Sequence, residues 1–230
     1  MATDLVQRLE RVRQQVAAAA VAAGRGPGDV TLIAVSKTHP AEVVDRAVEA
    51  GVAELGENRV QEAAGKRPRV RQARWHLIGP LQRNKAKLAL EVFDVIHTVD
   101  RPEIADRLQR LLEDRWPGRA LEVLLEVNVG GEEQKAGVAP ATAADLLRAA
   151  LSRDRLTVRG LMAIPPFTPD PEASRPFFRA LRQLRDHLQE ATGHPLPELS
   201  MGMSHDFEIA IAEGATMVRV GTAIFGPREG

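Results

Sequence analysis

Val30-Thr31-Leu32-Ile33-Ala34-Val35-Ser36-Lys37 is a short apolar run that ends in a lysine. Apolar and β-branched side chains fill both alternating sets, so it reads as a strand buried on both faces, the habit of parallel sheets. Upstream, Leu5, Leu9, Val12 and Val16 recur at helical spacing, and Gly24-Arg25-Gly26-Pro27-Gly28 breaks the segment. Downstream, Pro40 opens a helix through Val43, Val44, Ala47 and Val48, which Gly51 closes. The alternation then repeats. Strands are predicted at 52–55, 75–78, 95–99, 121–127, within 156–163, at 199–201 and at 217–220. Helices are predicted after Asn58, from Arg83, after Asp100, over 141–151, through Phe177, Leu181, Leu184 and Leu188, and over 206–213. Asp100 and Glu103 stand at N-cap and N3 spacing around Pro102, a helix-start signature.

Strands that alternate with helices imply parallel βαβ units. Eight of them in 230 residues suit a single (β/α)8 barrel over residues 1–230, an α/β fold, with the first helix (3–24) packed on the barrel. An open doubly wound sheet is the alternative, but no Gly-x-Gly-x-x-Gly turn follows the first strand. Pro165-Pro166-Phe167-Thr168-Pro169-Asp170-Pro171 falls between a strand and its helix and reads as a stiff loop over one mouth, not a linker.

Composition narrows the function. Lys and Arg number 31, as do Asp and Glu, so the chain lacks the basic footprint that binding to nucleic acid needs. It has no cysteine, which excludes disulfides, thiolate metal sites and thiol nucleophiles. It has no tyrosine either. No apolar run approaches the roughly 20 residues that span a bilayer, and the first ten residues are not a signal peptide. A soluble, cytoplasmic protein without membrane attachment is expected.

In a (β/α)8 barrel the chemistry sits at the C-terminal ends of the strands. Lys37 stands at the first of these. Burial disfavours an ammonium ion, and the neutral amine is the form that attacks a carbonyl; a strand-end lysine can equally snorkel to solvent. The other lysines (Lys66, Lys85, Lys87, Lys135) look solvated. After the last two strands come Ser200-Met201-Gly202-Met203-Ser204-His205-Asp206 and Arg219-Val220-Gly221-Thr222. Small residues and hydroxyls there suit a phosphate, although ordinary turn chemistry with Ser204 as a cap uses them too. An inward Arg219 needs an acceptor, whether a ligand or an acidic neighbour such as Glu54 or Glu57. His76 and His97 lie in strands, where a histidine is usually a hydrogen-bonded core residue. No motif has metal-ligand spacing, so no metal is expected.

These stretches also carry a resemblance. Ala34-Val35-Ser36-Lys37, Gly56-Glu57-Asn58-Arg59-Val60-Gln61-Glu62 and Trp75-His76-Leu77-Ile78-Gly79-Pro80-Leu81-Gln82-Arg83-Asn84-Lys85 begin it. Val127-Asn128 through Lys135 and Gly137, Arg159-Gly160-Leu161-Met162, Leu199 to Ser204 and Arg219 to Gly226 complete it. Together they resemble the YggS/PROSC family of pyridoxal-phosphate homeostasis proteins. The resemblance implies a fold-type III barrel like the N-terminal domain of alanine racemase. It implies pyridoxal 5'-phosphate as cofactor, held as a Schiff base on Lys37, with Arg219 facing the pyridine nitrogen. Ser200, Met201, Ser204, Gly221 and Thr222 would bind its phosphate end, and Asn58 and His76 would line its pocket. His205 and the pair Pro227-Arg228 depart slightly from the family pattern.

Three functions follow from that set. The first is a carrier that stores, buffers or delivers the cofactor, with no catalytic residue of its own. Its partners would be pyridoxal phosphate and the apo-enzymes that receive it, and it would be a monomer or weak homodimer. An arginine beside the ring nitrogen would keep it unprotonated and weaken carbanion chemistry, which favours this reading. The second is an amino-acid racemase. Racemases of this fold need a second domain and a tyrosine as opposite-face base, and two-base proton transfer needs a group on each face. No room for a second domain is expected after the eighth strand, and the chain has no tyrosine to give. The third is a Schiff-base aldolase using Lys37 and the same loops.

Overall fold

A computed structural model describes residues 2–132 and 134–227; the departure at Arg228 lies outside them. Eight parallel strands close into one barrel in chain order, with β1 hydrogen-bonded to both β2 and β8. The strands are β1 (Thr31–Val35), β2 (Glu54–Glu57), β3 (Arg74–Leu77), β4 (Val95–Val99), β5 (Leu121–Glu126), β6 (Leu156–Met162), β7 (Glu198–Met203) and β8 (Met217–Val220). The helices are α1 (Ala2–Ala22), α2 (Ala41–Glu49), α3 (Val60–Lys66), α4 (Ala86–Val92), α5 (Pro102–Arg115), α6 (Ala143–Leu151), α7 (Arg175–Thr192), α8 (Phe207–Ala212) and α9 (Thr222–Phe225). The predicted alternation is therefore the observed one, with a short α9 added after β8.

Several boundaries move, each for a local reason. β2 begins two residues later than predicted, because Val52 donates its amide back to Ala47 O and still belongs to the end of α2. That shift makes Glu54 the first strand residue and Glu57 the last. α5 is capped by Arg101, not Asp100, and no side chain bonds the cap; Asp100 pairs with Arg101 instead. On α7 the buried phenylalanine is Phe178, while Phe177 is only half-buried. β7 extends past its apolar centre to Met203.

Leu5, Leu9, Val12, Val16 and Ala20 of α1 are all buried in the main core. Their spacing of three and four lays one stripe against the barrel wall beside α8 and α9. Outward strand residues such as Leu55, Leu77, Val123 and Met201 meet the helices in that core. Burying one such side chain stabilises by roughly 1.5–3 kcal/mol.

Inside the barrel the filling is unusual. Val95, Leu124 and Met162 form a small separate apolar cluster. Around them lie polar side chains, in a space that barrels of this type fill mainly with branched aliphatics. At the N-terminal strand ends, Arg74 pairs with Glu122 at 2.7 Å, and Arg159 lies 3.8 Å from both Glu122 and Glu198. No helix among the described residues is long and apolar enough to cross a membrane.

Candidate functional site

Lys37 follows β1 at the C-terminal mouth and is half-buried. The turn that carries it is held on both sides. Ser36 donates its amide to Gly56 O at 3.0 Å and its hydroxyl to Glu57 Oε1 at 2.6 Å. Thr38 has φ +69°, the only positive φ outside glycine among the described residues. For a β-branched residue that is strained, by about 1–3 kcal/mol, and needs outside support. Glu62 Oε1 supplies it by accepting the Thr38 amide at 2.5 Å.

Lys66 ties these supports together. Its Nζ donates to Ser36 O at 2.8 Å, to Glu57 Oε1 at 2.6 Å and to Glu62 Oε1 at 2.6 Å. The expectation that Lys66 is solvated is therefore corrected: it is 7% exposed. Val60, Ala63 and Lys66 share the buried side of α3 at a spacing of three, and that pattern could have found it. Burial raises the Glu57 carboxyl above its usual range, and the bonds from Lys66 and Ser36 pull it part of the way back. Glu62 lies below its usual range, because the bonds from Lys66 and the Thr38 amide outweigh its burial.

The β7 and β8 loops adjoin this turn. Gly221 donates its amide to Ser204 Oγ at 3.2 Å, joining the two loops. A side chain at Gly221 would meet Val35 O at 3.1 Å, so glycine permits the loop to lie against the end of β1. His39, two residues past Lys37, stacks on Phe225 of α9 with centroids 5.0 Å apart. Lys37, Ser204, Gly221 and Thr222 thus occupy one arc of the rim, with Thr222 exposed. Asn58 sits on the neighbouring arc, its backbone against Gly79: a Cβ there would be 2.3 Å from Asn58 O. The proline-rich loop lies over the same mouth. Pro165 O accepts from Lys135 at 3.2 Å, and Thr168 O takes a hydrogen bond from His205 Nε2 at 3.0 Å.

Arg219 lies beneath the rim, 3% exposed, donating to Ser200 Oγ at 2.7 Å and to Ala163 O at 2.9 Å. Burial lowers its pKa to about 10, while Glu126 and Asp206 oppose the shift; it stays a cation at neutral pH. Glu126, the last residue of β5, is pushed up to about 7, by burial first and then by Asp100. Sequence reasoning missed Glu126, because a strand-end carboxylate gives no sign of which neighbours it will face.

Three expected cofactor residues sit elsewhere than the rim. Ser200 Oγ points into the barrel, between Arg219 and His97 Nδ1 at 3.0 Å. Met201 is turned outward into the helix–strand core and brings no side chain to the mouth. His76 is fully buried inside the barrel, against His97 and Glu54. Strand alternation explains the set, since Ser200 and Met201 must face opposite ways.

The rim offers an amine on a clamped turn, two hydroxyls, a glycine that lets backbone come close, and a buried cation behind them. Two buried carboxylate oxygens at strand ends, Glu57 Oε2 and Glu126 Oε2, have no hydrogen-bond partner in the protein. The amine, the hydroxyls and the closely approaching backbone suit a phosphorylated carbonyl compound. Among the described residues no group of His, Asp or Glu could hold a metal ion.

Comparison with known proteins gives the family. The profile of the alanine racemase N-terminal domain family matches residues 8–229. A pyridoxal phosphate homeostasis protein of Aquifex aeolicus is 45% identical over 225 residues, covering 97% of this chain and 98% of that one. The structure of PipY from Synechococcus elongatus with pyridoxal phosphate bound superposes with a TM-score of 0.85 at 38% identity, over 96% of this chain and all of that one. Alanine racemase of Clostridium difficile shares the fold alone, with a TM-score of 0.78 at 15% identity, and this chain covers 60% of it. On a full-length match of this kind, the chain belongs to the family of pyridoxal phosphate homeostasis proteins, built on the barrel of the alanine racemase N-terminal domain.

Proposed function

We propose that this protein carries pyridoxal 5'-phosphate on Lys37 and serves its homeostasis in the cytoplasm, by storing, buffering or delivering it to apo-enzymes. The observation that carries this is the clamped turn: Lys37 is held between Glu62 and the Ser36–Glu57–Lys66 cluster, beside the Ser204–Gly221 junction. When bound, the cofactor supplies an aldehyde that condenses with an amine, releasing water, and a phosphate that takes hydrogen bonds. Lys37 provides the amine. Ser204, Thr222 and the Gly221 backbone face the phosphate, and Asn58 lines the adjoining wall. Arg219 stands as a fixed cation at the ring end, which disfavours a second positive charge on the ring nitrogen. Ser200 and His76 act behind Arg219 and not at the rim. A monomer or weak homodimer serves this role, since every residue named comes from one chain.

The racemase alternative lacks its opposite-face base, because the chain contains no tyrosine. The test is reconstitution with pyridoxal phosphate, borohydride reduction and peptide mass spectrometry. A visible absorption band and a label on Lys37, both lost in Lys37→Ala, are expected. Label on Lys66 or Lys135 instead, or alanine losing optical rotation in a Lys37-dependent way, would overturn the assignment.

A further inference from the structure

Five polar residues join end to end through the barrel. Arg219 Nη1 donates to Ser200 Oγ at 2.7 Å, and Ser200 Oγ lies 3.0 Å from His97 Nδ1. His97 Nε2 lies 2.8 Å from His76 Nδ1, and His76 Nε2 lies 2.6 Å from Glu54 Oε2. Ser200, His97 and His76 have no solvent exposure. The contact between His97 on β4 and Ser200 on β7 spans the lumen, because these strands are not neighbours in the barrel. The chain starts beneath the cofactor mouth. It emerges at Glu54, the first residue of β2, at the opposite mouth, where the side chain is 22% exposed.

The two ends dictate the direction. A guanidinium only donates and a carboxylate only accepts. Ser200 Oγ accepts from Arg219, and its one other hydrogen-bond partner among the described residues is His97 Nδ1, so the buried hydroxyl is satisfied only when its single hydrogen goes to His97 Nδ1. His97 then carries its proton on Nε2 and donates to His76 Nδ1. His76 carries its proton on Nε2 and donates to Glu54. The reverse order would leave the buried Ser200 hydroxyl hydrogen with no acceptor among the described residues. Burial, with the Arg219 and Arg74 charges nearby, also holds His97 neutral, well below its ordinary range, so it has one ring proton to place. Hydrogen bonds aligned head to tail in a buried chain polarise and strengthen one another. With Nη1 on Ser200 and Nη2 on Ala163 O, the guanidinium cannot swing away.

We propose that Glu54, His76, His97 and Ser200 are positioning residues: a one-way hydrogen-bond relay that fixes Arg219 under the cofactor and links the cofactor's ring end to a carboxylate at the far mouth. This rests on the reading above that Arg219 faces the pyridine ring. It assigns roles to two strand histidines and to a glutamate that touch no ligand.

The first test needs no cofactor. In histidine-labelled full-length protein, nitrogen NMR should show the ring proton on Nε2 and a bare, accepting Nδ1 in both His76 and His97. A proton on Nδ1 of either ring would overturn the relay. The second test uses Glu54→Gln, which keeps shape and an acceptor oxygen but loses the charge, and Ser200→Ala, which cuts the chain beside Arg219. In Glu54→Gln the resonances of both histidines should move. In both variants, with folding checked by circular dichroism, the cofactor band should shift and affinity should fall roughly 3- to 10-fold, as members of one network couple. An unchanged band and affinity in both would overturn the link to the cofactor. Arg219→Lys separates the two ideas. If it too leaves band and affinity unchanged while the tautomers are as stated, the placement of Arg219 at the ring is what failed, and the link falls with it. Failure of the carrier reading itself appears elsewhere, as absence of label on Lys37.

Discussion

At the scale of single residues, burial decides what a charge does. Lys66 looks in sequence like one more helix lysine, yet it is the hub that joins Ser36, Glu57 and Glu62 beneath Lys37. Removing one partner of a buried pair leaves an uncompensated charge, which typically costs about 3–5 kcal/mol. Lys66→Met should therefore destabilise the protein by that order in urea unfolding and reduce labelling of Lys37; a loss below about 1 kcal/mol would show the cluster to be ornamental. Glu126 poses the opposite problem, a carboxyl whose folded pKa is raised to about 7 from its ordinary 4.5. The folded state then binds the proton more tightly than the unfolded chain. Its penalty is absent below the unfolded value, grows as pH rises between the two, and is complete above about 7, on the order of 3 kcal/mol. Glu126→Gln should accordingly leave stability nearly unchanged near pH 5 and raise it near pH 8, read by urea titrations at both. An equal effect at the two pH values would contradict the assignment.

At the scale of elements, α1 is more than a cover on the barrel. Its Arg8 donates from Nε to Ile224 O at 2.8 Å and from Nη2 to Phe225 O at 3.4 Å, so it satisfies the last carbonyls of α9. These carbonyls have no partner within a helix of four residues. Arg8→Ala should cost about 1–2 kcal/mol in thermal or urea unfolding, the size of a partly exposed charged hydrogen bond. No change would mean that water replaces the arginine without loss. Glycines do the matching work where loops or neighbouring strands crowd together. A Cβ at Gly79 would overlap the Asn58 backbone, and one at Gly160 would lie 1.8 Å from Glu198 O, so these close approaches require glycine whatever the surrounding helices do.

At the scale of the whole molecule, ligand and fold stabilise each other. Cofactor at about 100 times its dissociation constant adds about 2.7 kcal/mol. For a chain of this size that is a melting shift of roughly 5–10 °C, expected for the native protein and absent in Lys37→Ala; equal shifts in both would place the cofactor elsewhere. The alternation of eight short apolar runs with helices was legible from end to end, because hydrophobic period is a local property of the chain. So was the place of Lys37 at the end of the first run, and that of Ser204, Gly221 and Thr222 after or at the end of the last two. The starting residue of β2 was not, because Val52 completes the end of α2 before the strand begins. Nor was the inward partnership of Ser200 with His97, residues 103 apart in sequence that meet only across a closed lumen. Sequence by itself therefore determined the strands, the helices and the amine, all set by neighbours a few residues away. Only closure of the barrel decided which polar side chains line its interior and which face its rim, because those choices depend on contacts between strands that the linear pattern leaves far apart.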